Sequence, residues 1–379
     1  MSDNRLRIPF NQPVRLGREL EAIERVFQQG QTAGVGPLGA MCEELLESRF
    51  RRRVLLVSSC THALEMAALL LDLRPGDEVL VPSFTFVSTA NAFVLRGARP
   101  VFVDVDASGN LDVSAVAALR TARTRAVCAV HYAGNSCDLD ALGDALPEVP
   151  LVEDAAQAIG VSFRGRPLGT LGVAGALSFH ETKNVGCGEG GALVVGREDL
   201  VERAEFLREK GTNRRKFSQG LVDKYTWVDV GSSHVLSEIN AAYLEPQLRA
   251  LDAIQARRAD VFARYVEALA RPAERAGARV LLPPEHNGSG NAHLFALVFR
   301  TGQQRTRYIA HMREHGILTP FHYVALHRSP FGSRFHDGRS LPMSDLLTDC
   351  LVRLPLFFNL TDAQVNEVVD RTLEFLRGQ

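Results

Sequence analysis

The stretch EVLVPSFTFVSTANAFVLRGARPVFVDVD, residues 78–106, decides the fold class of this chain. It contains two short apolar runs, EVLVPS (78–83) and PVFVDVD (100–106), and the helical pattern TANAFVLR lies between them. Short apolar strands joined by helical segments are typical of a parallel sheet that is covered by helices on both faces. The stretch therefore predicts one unit of a doubly wound α/β fold.

The same alternation continues on both sides of this stretch. Further strand candidates are VLLV (54–57), AVCAVH (126–131), PLVEDA (150–155) and ALVV (192–195). In open sheets of this kind, ligands bind at the carboxyl ends of the strands. We therefore expect the functional residues in the segments that directly follow these strands.

The alternation of strands and helices ends after Val194. A polar segment covers 212–230, and apolar residues at helical spacing in LRALDAIQARRADVFARYVEAL (248–269) predict a long connecting helix. Beyond it, ALVFR (296–300) and HYVAL (322–326) are strand candidates. We predict a large domain over 1–247 and a smaller α+β domain over 248–379.

Composition excludes several classes of protein. The chain has 379 residues, of which 46% are apolar and 23% are charged, with a net charge of -1, values that are typical of a globular protein and speak against nucleic-acid binding. Neither an apolar run of membrane-spanning length nor a secretion signal is present, so we expect a cytoplasmic protein. The six cysteines form no C-x-x-C pair, which indicates neither a disulfide framework nor a zinc site.

One glycine motif has the form of a nucleotide-binding loop. Gly34, Gly36 and Gly39 spell G-x-G-x-x-G, but the preceding QQGQTA is not a strand and Pro37 lies inside the motif. A dinucleotide fingerprint needs a strand directly before it. We predict a plain glycine-rich loop, and a role in lining a ligand site remains open.

Three features near strand ends could carry chemistry. The residues Ser58 to His62 precede a helix, where small hydroxyl residues either cap the helix or hold a phosphate. Asp154 ends a strand, where it either meets a ligand or caps the next helix. Lys183 is one of four lysines and the one that closely follows an apolar run, so its amine can be desolvated, although a surface lysine is an equally simple interpretation. Together the three supply what pyridoxal phosphate needs, namely an anion site, a partner for the ring nitrogen and an amine.

Several phrases of the sequence carry a family resemblance. They include VEDAAQAIG (152–160), SFHETKNVGCGEGGALVV (178–195), VDKYTWVDVGSS (222–233) and LPLFFNL (354–360). On these phrases the chain resembles the DegT/DnrJ/EryC1/StrS family of sugar aminotransferases over essentially its whole length. The resemblance implies the pyridoxal phosphate-dependent transferase fold of type I, which is similar to that of aspartate aminotransferase.

The resemblance also implies roles for individual residues. Lys183 would form the Schiff base with the cofactor and move the proton, and Asp154 would hold the proton on the ring nitrogen. The other implied cofactor contacts are Phe86 on the ring face, Gln157 near the phenolic oxygen, and Ser178, Cys60 and Thr61 at the phosphate. Where many relatives place a phosphate-binding Asn of the neighbouring subunit, this chain has Ser233.

Substrate contacts are the remaining expectation. His180, which is either packed or catalytic, and His293 and His322 are candidates because relatives approach the substrate there. From its charge, the polar loop over 208–224 is a candidate for binding a diphosphate through Arg214 and Arg215, although basic loop residues are often merely solvated.

The implied reaction is transfer of the amino group of L-glutamate to the 4-keto group of dTDP-4-keto-6-deoxy-D-glucose, in a homodimer with shared active sites. Retention of Lys183 argues against the related dehydratases, in which histidine replaces the lysine. Amination at C3, a UDP-linked sugar, the gluco epimer of the product and a non-catalytic regulator remain alternatives. Whether the aminosugar enters enterobacterial common antigen, lipopolysaccharide or an antibiotic stays open.

Overall fold

A seven-stranded sheet forms the centre of the structure, a computed structural model that describes residues 6–284 and 290–378. The strands follow the spatial order β1-β9-β8-β5-β4-β2-β3. Their bounds are β1 Arg53–Val57, β2 Glu78–Pro82, β3 Arg99–Val103, β4 Thr124–Val130, β5 Leu151–Asp154, β8 Ala174–Ser178 and β9 Gly191–Val195, and a small separate hairpin consists of β6 Ser162–Phe163 and β7 Arg166–Pro167.

The central sheet is mostly parallel. Strand β9 pairs antiparallel with both β1 and β8, whereas the pairs formed by β2, β3, β4, β5 and β8 among themselves are parallel. The parallel strands are short and buried along almost their whole length, as expected for a sheet that is covered on both faces. The predicted doubly wound α/β class is confirmed.

Helices cover the two faces of the sheet. One face packs against apolar residues of α1, α2, α5, α6 and α9, and the other packs against α3, α4 and α7. The bounds are α1 Glu19–Gln29, α2 Pro37–Phe50, α3 Cys60–Leu70, α4 Val87–Val94, α5 Val113–Leu119, α6 Leu139–Ala145, α7 Val201–Arg208, α8 Arg214–Ser218 and α9 Glu238–Arg249. The largest apolar clusters of the protein therefore lie on either side of this sheet.

The carboxy-terminal part has a second, smaller sheet with the antiparallel order β10-β11-β12. Its elements are α10 Leu251–Arg275, β10 Arg279–Val280, β11 Phe295–Val298, α11 Gly302–Glu314, α12 Pro342–Cys350, β12 Leu351–Leu354 and α13 Asp362–Arg377. A separate apolar cluster, which includes Tyr265, Phe295 and Val368, packs between this sheet and its helices. The predicted boundary between residues 247 and 248 falls within the last turn of α9, and the division into two domains stays a prediction.

The expectation of a strand at HYVAL (322–326) is wrong. This segment is irregular, and the third strand of the small sheet is β12 instead. The backbone N–H of Leu326 donates to the carbonyl of Ser83 at the end of β2, and the N–H of Ala325 donates to the Thr348 hydroxyl. The segment is thus held between the end of β2 and helix α12 by single hydrogen bonds and not by a ladder.

None of the helices in the described ranges is both long enough and apolar enough to cross a membrane.

Candidate active site

A cavity of about 730 Å³ opens at the carboxyl edge of the central sheet. It is bounded by the segments that follow β2, β5 and β8, by the first turn of α3, and by residues of the carboxy-terminal part. The sequence-predicted residues that line it are Cys60, Thr61, Phe86, Asp154, Gln157, Ser178, His180, Lys183, His293 and His322. The fold therefore brings together side chains that are as far as 262 positions apart (322 minus 60) in the chain.

Lys183 lies in the turn that follows β8. Its backbone N–H donates to the carbonyl of His180 at 2.9 Å, and its side chain is half-buried. Burial lowers the pKa of the amine, because desolvation disfavours the ammonium form; the nearby carboxylate of Asp154 opposes this shift, whereas the charge of Arg353 adds to it. Lys183 takes part in none of the ion pairs among the described residues.

Asp154 is the last residue of β5 and is only 6% exposed. One carboxylate oxygen accepts a hydrogen bond from the hydroxyl of Thr89 at 2.7 Å, and the other accepts from the backbone N–H of Ala156 at 3.2 Å. These two donors fix the orientation of the carboxylate at the cavity wall. Asp154 is thus placed to meet a ligand and is not merely a helix cap.

The preceding residue, Glu153, is fully buried and serves the fold. Its carboxylate accepts backbone N–H groups of Gly169, Leu171 and Gly172 at 2.6 to 2.8 Å, and it pairs with His131 at 3.0 Å. Burial alone would raise the pKa of Glu153, but the hydrogen bonds from His131 and the loop hold it below its ordinary value. Because successive strand residues point to opposite faces, these adjacent carboxylates have separate environments.

The amino terminus of α3 lies at one end of the cavity, where an anion would be favoured. Ser59 caps the helix by accepting the N–H of His62, and the hydroxyl of Thr61 lies 2.8 Å from that of Ser88. The first N–H groups of a helix lack intrahelical acceptors, and the helix dipole favours an anion there. A Cβ atom at Gly191 in β9 would lie 2.4 Å from the Cys60 nitrogen, so this close approach requires glycine.

An aromatic group covers one side of the cavity. The amide of Gln157 accepts the N–H of Ala133 at 2.7 Å and donates to the hydroxyl of Tyr323 at 2.9 Å. Tyr323 stacks on His322 with ring centroids 3.7 Å apart, and the exposed ring of Phe86 lies 6.2 Å from Tyr323. This side therefore presents aromatic ring faces, and two hydrogen bonds hold the amide of Gln157 beside Tyr323.

The three predicted histidines differ in their surroundings. His293 bonds to Asn184 at 2.9 Å, and His322 bonds to the hydroxyl of Tyr132 at 2.5 Å. Burial lowers the pKa of both rings well below the usual value, so they are neutral at pH 7. His180 bonds to Thr182 at 2.9 Å and is more exposed, at the mouth of the cavity.

Three predicted residues do not line the cavity of their own chain. Ser233 forms an isolated bridge with Glu209, and Arg214 begins the short helix α8. Arg215 forms an ion pair with Glu205 of α7.

Arg208, at the start of the same polar loop, is 2% exposed and pairs with Glu43 of α2. Its guanidinium therefore ties α7 to α2 within the chain.

The glycine-rich loop binds an internal carboxylate. The backbone N–H groups of Gly36, Leu38 and Gly39 donate to the side chain of Glu238 at 2.8 to 3.1 Å. Glu238 is 1% exposed and comes from the start of α9. This carboxylate occupies the amino terminus of α2, and the loop does not line the active-site cavity.

Sequence reasoning missed three residues of the site, which are Thr89, Tyr323 and Arg353. Arg353 of β12 reaches the cavity with its guanidinium 4.4 Å from the ring of Phe10, and its Nε atom is buried without a hydrogen-bond partner among the described residues. The signal that could have found it is its position directly before the phrase LPLFFNL. Tyr323 was missed because its segment was expected to form a strand.

Comparisons with known proteins agree with this geometry. Residues 16–373 match the model of the DegT/DnrJ/EryC1/StrS aminotransferase family. The aminotransferase TlmJ from Streptoalloteichus hindustanus is 32% identical, with a TM-score of 0.89 and coverage of 98% of this chain and 99% of that one. DesV from S. venezuelae, solved in complex with a ketimine intermediate, is 32% identical over 95% of this chain and 94% of that one, with a TM-score of 0.86.

A third structure shares the fold at lower identity. The putative sugar aminotransferase Spr1654 from Streptococcus pneumoniae, in its PLP form, is 23% identical with a TM-score of 0.87, over 98% of this chain and 99% of that one.

The donor set of the cavity fits pyridoxal phosphate. The helix terminus of α3 suits a phosphate, Asp154 suits a protonated ring nitrogen, and Lys183 has an amine with a lowered pKa at the same cavity. With a family match over nearly its whole length, the chain belongs to the DegT/DnrJ/EryC1/StrS aminotransferase family and is an enzyme that depends on pyridoxal phosphate.

Proposed function

We propose that this protein transfers the amino group of L-glutamate to C4 of dTDP-4-keto-6-deoxy-D-glucose, giving dTDP-4-amino-4,6-dideoxy-D-galactose and 2-oxoglutarate. The observation that carries the proposal is the convergence of Lys183, Asp154 and the α3 terminus on one cavity of about 730 Å³. The phrases SFHETKNVGCGEGGALVV and VDKYTWVDVGSS support the choice of a sugar nucleotide as amine acceptor.

Different residues of the cavity have different roles in the reaction. Pyridoxal phosphate, when bound, supplies a carbonyl group that takes up the amine and a ring that stabilises negative charge on the adjacent carbon. Lys183 would hold the cofactor covalently at rest and, once the amine of the substrate has displaced it, its freed amine would take the proton from the carbon that bears nitrogen. Asp154, oriented by Thr89, keeps the ring nitrogen protonated.

The other contacts position the cofactor. Phe86 would stack on the ring face, and the amide of Gln157, fixed by Ala133, would lie near the phenolic oxygen. The phosphate is held at the α3 terminus; the residues assigned to it are Cys60, Thr61, Ser178 and, from the neighbouring subunit, Ser233.

Substrate binding uses the remaining polar groups of the wall. Arg353, whose Nε atom lacks a partner among the described residues, binds a carboxylate of L-glutamate. The neutral rings of His293 and His322 bond to hydroxyl groups of the sugar, and His180 contributes at the mouth of the cavity.

A homodimer completes the site. The loop that follows α8 exposes a group of large apolar side chains, which is unusual for a free surface; its members are Leu221, Tyr225, Trp227, Val228 and Val230. We place this loop against a second copy of the chain, where Arg214 and Arg215 meet the diphosphate of the sugar nucleotide in the neighbouring site.

The decisive experiment is identification of the product. The purified enzyme with L-glutamate is offered dTDP-4-keto-6-deoxy-D-glucose, the corresponding 3-keto sugar and a UDP-linked 4-keto sugar, and the products are assigned by NMR. We expect an axial amine at C4 of the dTDP sugar. Faster turnover of either other substrate, an equatorial amine, or no turnover with any of them contradicts the proposed substrate.

A second experiment tests the diphosphate contact. Changing both Arg214 and Arg215 to Ala should raise the KM for the sugar nucleotide and leave the half-reaction with glutamate almost unchanged, because glutamate carries no diphosphate. Lys224→Ala, in the same polar segment, is the control. Equal losses in both half-reactions would show that the two arginines support the loop and do not bind the substrate.

A further inference from the structure

A second group of potential ligands lies outside the active-site cavity. It consists of His62 and Glu65 on α3 and His234 in the segment before α9, and one ligand atom of each lies within 4.8 Å of the others. His62 and Glu65 are three positions apart, so they share one face of the helix. The three side chains therefore converge from two different parts of the chain.

His234 is held in place, but one nitrogen of its ring lacks a hydrogen-bond partner among the described residues. The residue is 4% exposed, its backbone N–H donates to the carbonyl of Arg208, and its own carbonyl accepts the N–H of Ser58 at 2.7 Å. The Nε2 atom is buried and has no hydrogen-bond partner among the described residues. A buried polar atom of this kind indicates a missing partner.

His62 supplies a second imidazole next to it. The two rings have centroids 4.8 Å apart, and Nδ1 of His62 bonds to the hydroxyl of Ser58 at 2.7 Å. That bond leaves the other ring nitrogen for a ligand, as in metal sites where one nitrogen binds the ion and the other is held by a neighbour.

We propose that His62, Glu65 and His234 bind a divalent transition-metal ion, with Zn²⁺ as the best match. Two imidazoles and one carboxylate are a known zinc ligand set, and zinc in such sites keeps a fourth position for solvent. A tetrahedral ion needs ligand atoms about 3.4 Å apart, so small rotations of the half-buried His62 and Glu65 close the site.

The ion connects the site to the cofactor cavity through α3. His62 follows Cys60 and Thr61, which line the cavity at the amino terminus of α3, and His234 follows Ser233. A bound ion would fasten the first turn of α3 to the segment that precedes α9. It would stabilise the contact between these two segments and take no part in the transfer of the amine, so the site does not depend on the proposed reaction.

The test is calorimetric titration of the cofactor-loaded protein with ZnCl₂, together with the visible spectrum after loading with Co²⁺. We expect one equivalent of tightly bound ion, a cobalt spectrum of low coordination number and a higher melting temperature. His62→Ala, Glu65→Gln and His234→Ala should each weaken binding at least about tenfold, since loss of a mere supporting contact costs that much.

His311→Ala is the matched control. His311 and His315 have ring centroids 4.6 Å apart, but His311 Nε2 already donates to the carbonyl of Arg371 and His315 Nδ1 to that of His311. If His234→Ala does not fold, the two variants on α3 carry the test, because their side chains are half-buried. No uptake by the wild type, or uptake that the α3 variants leave unchanged, overturns the proposal.

Discussion

At the scale of single residues, side chains that are adjacent in the sequence have different roles. Glu153 and Asp154 are adjacent carboxylates, yet one is closed off by three loop N–H groups and the other faces the cavity. Lys183 differs from the other three lysines because it is desolvated at the cavity that Asp154 also lines. Burial and hydrogen bonding, and not residue type, separate the structural from the reactive groups.

Replacing Lys183 by Ala should abolish turnover and leave the fold intact, because the side chain lines a cavity and pairs with no acid among the described residues. The visible absorption of the Schiff base should disappear, and addition of glutamate should leave the spectrum unchanged. Lys210→Ala is the control and should keep both. A Lys183 variant that retained the absorption would assign the reactive amine to another residue.

Asp154→Asn should lower the rates of both half-reactions by about 10² to 10⁴, because an amide does not stabilise the protonated ring nitrogen as a carboxylate does. The free energy of unfolding should change little. Stopped-flow spectroscopy of each half-reaction measures the effect. A loss below about tenfold would indicate that Asp154 only organises the start of the following turn.

In contrast to Asp154→Asn, Glu153→Gln should lower the free energy of unfolding, by about 3 to 5 kcal/mol, because it removes a buried, hydrogen-bonded charge. The folded-state pKa of Glu153 is depressed, so its contribution is present above the unfolded value of 4.5 and is lost as the pH falls through the folded-state pKa. Urea denaturation between pH 7 and pH 3 measures this pH dependence. The free energy of unfolding of the wild type should fall with pH, and the variant, which lacks the carboxylate, should not show this fall. Equal slopes of the free energy of unfolding against pH for the two proteins would contradict this role of Glu153.

At the scale of elements, helix termini decide which glycine-rich segment meets a ligand. Both α2 and α3 begin after short, small-residue loops, and either start could hold an anion. Glu238 fills the start of α2 from within the chain, whereas Ser59 caps α3 and leaves its first N–H groups at the cavity. One terminus is therefore filled from within the chain, and the other stays available to the proposed cofactor phosphate.

Glu238→Ala should lower the free energy of unfolding by at least about 2 kcal/mol, because three buried N–H donors lose their acceptor. Glu238→Gln, which keeps one acceptor oxygen, should cost less. Chemical denaturation followed by circular dichroism checks the order of the variants. Unchanged stability in the alanine variant, or a lost absorption of bound cofactor in a folded one, would point to a ligand at this terminus.

At the scale of the whole molecule, the exposed loop after α8 is the feature that a single chain leaves unexplained. Trp227 is 81% exposed although its indole N–H is bonded to the carbonyl of Asp229. Large apolar groups gathered in this way mark an interaction surface. The loop gives the proposed homodimer its physical basis.

Trp227→Glu should convert the proposed dimer to a monomer and lower activity, because it puts a charge into an apolar contact. Light scattering checks the mass, and Leu282→Glu, an exposed apolar position elsewhere, is the control. Since Trp227 is the one tryptophan of the chain, its emission should also shift to the blue on association. A fully active wild-type monomer would contradict the proposal.

The sequence by itself determined the fold class and the meeting of three site residues at one edge of the sheet. Alternating apolar runs and helical patterns are local properties, and parallel strands bring their carboxyl ends to one edge, so Cys60, Asp154 and Lys183 could be placed near one another without coordinates. Only the tertiary structure decided what the segment at 322–326 does, because its strand-like composition is overridden by contacts with β2 and α12. The same holds for Arg353, for the pairing of Arg208 with Glu43, and for the meeting of His234 with α3, since each joins residues more than a hundred positions apart whose partners no local pattern specifies.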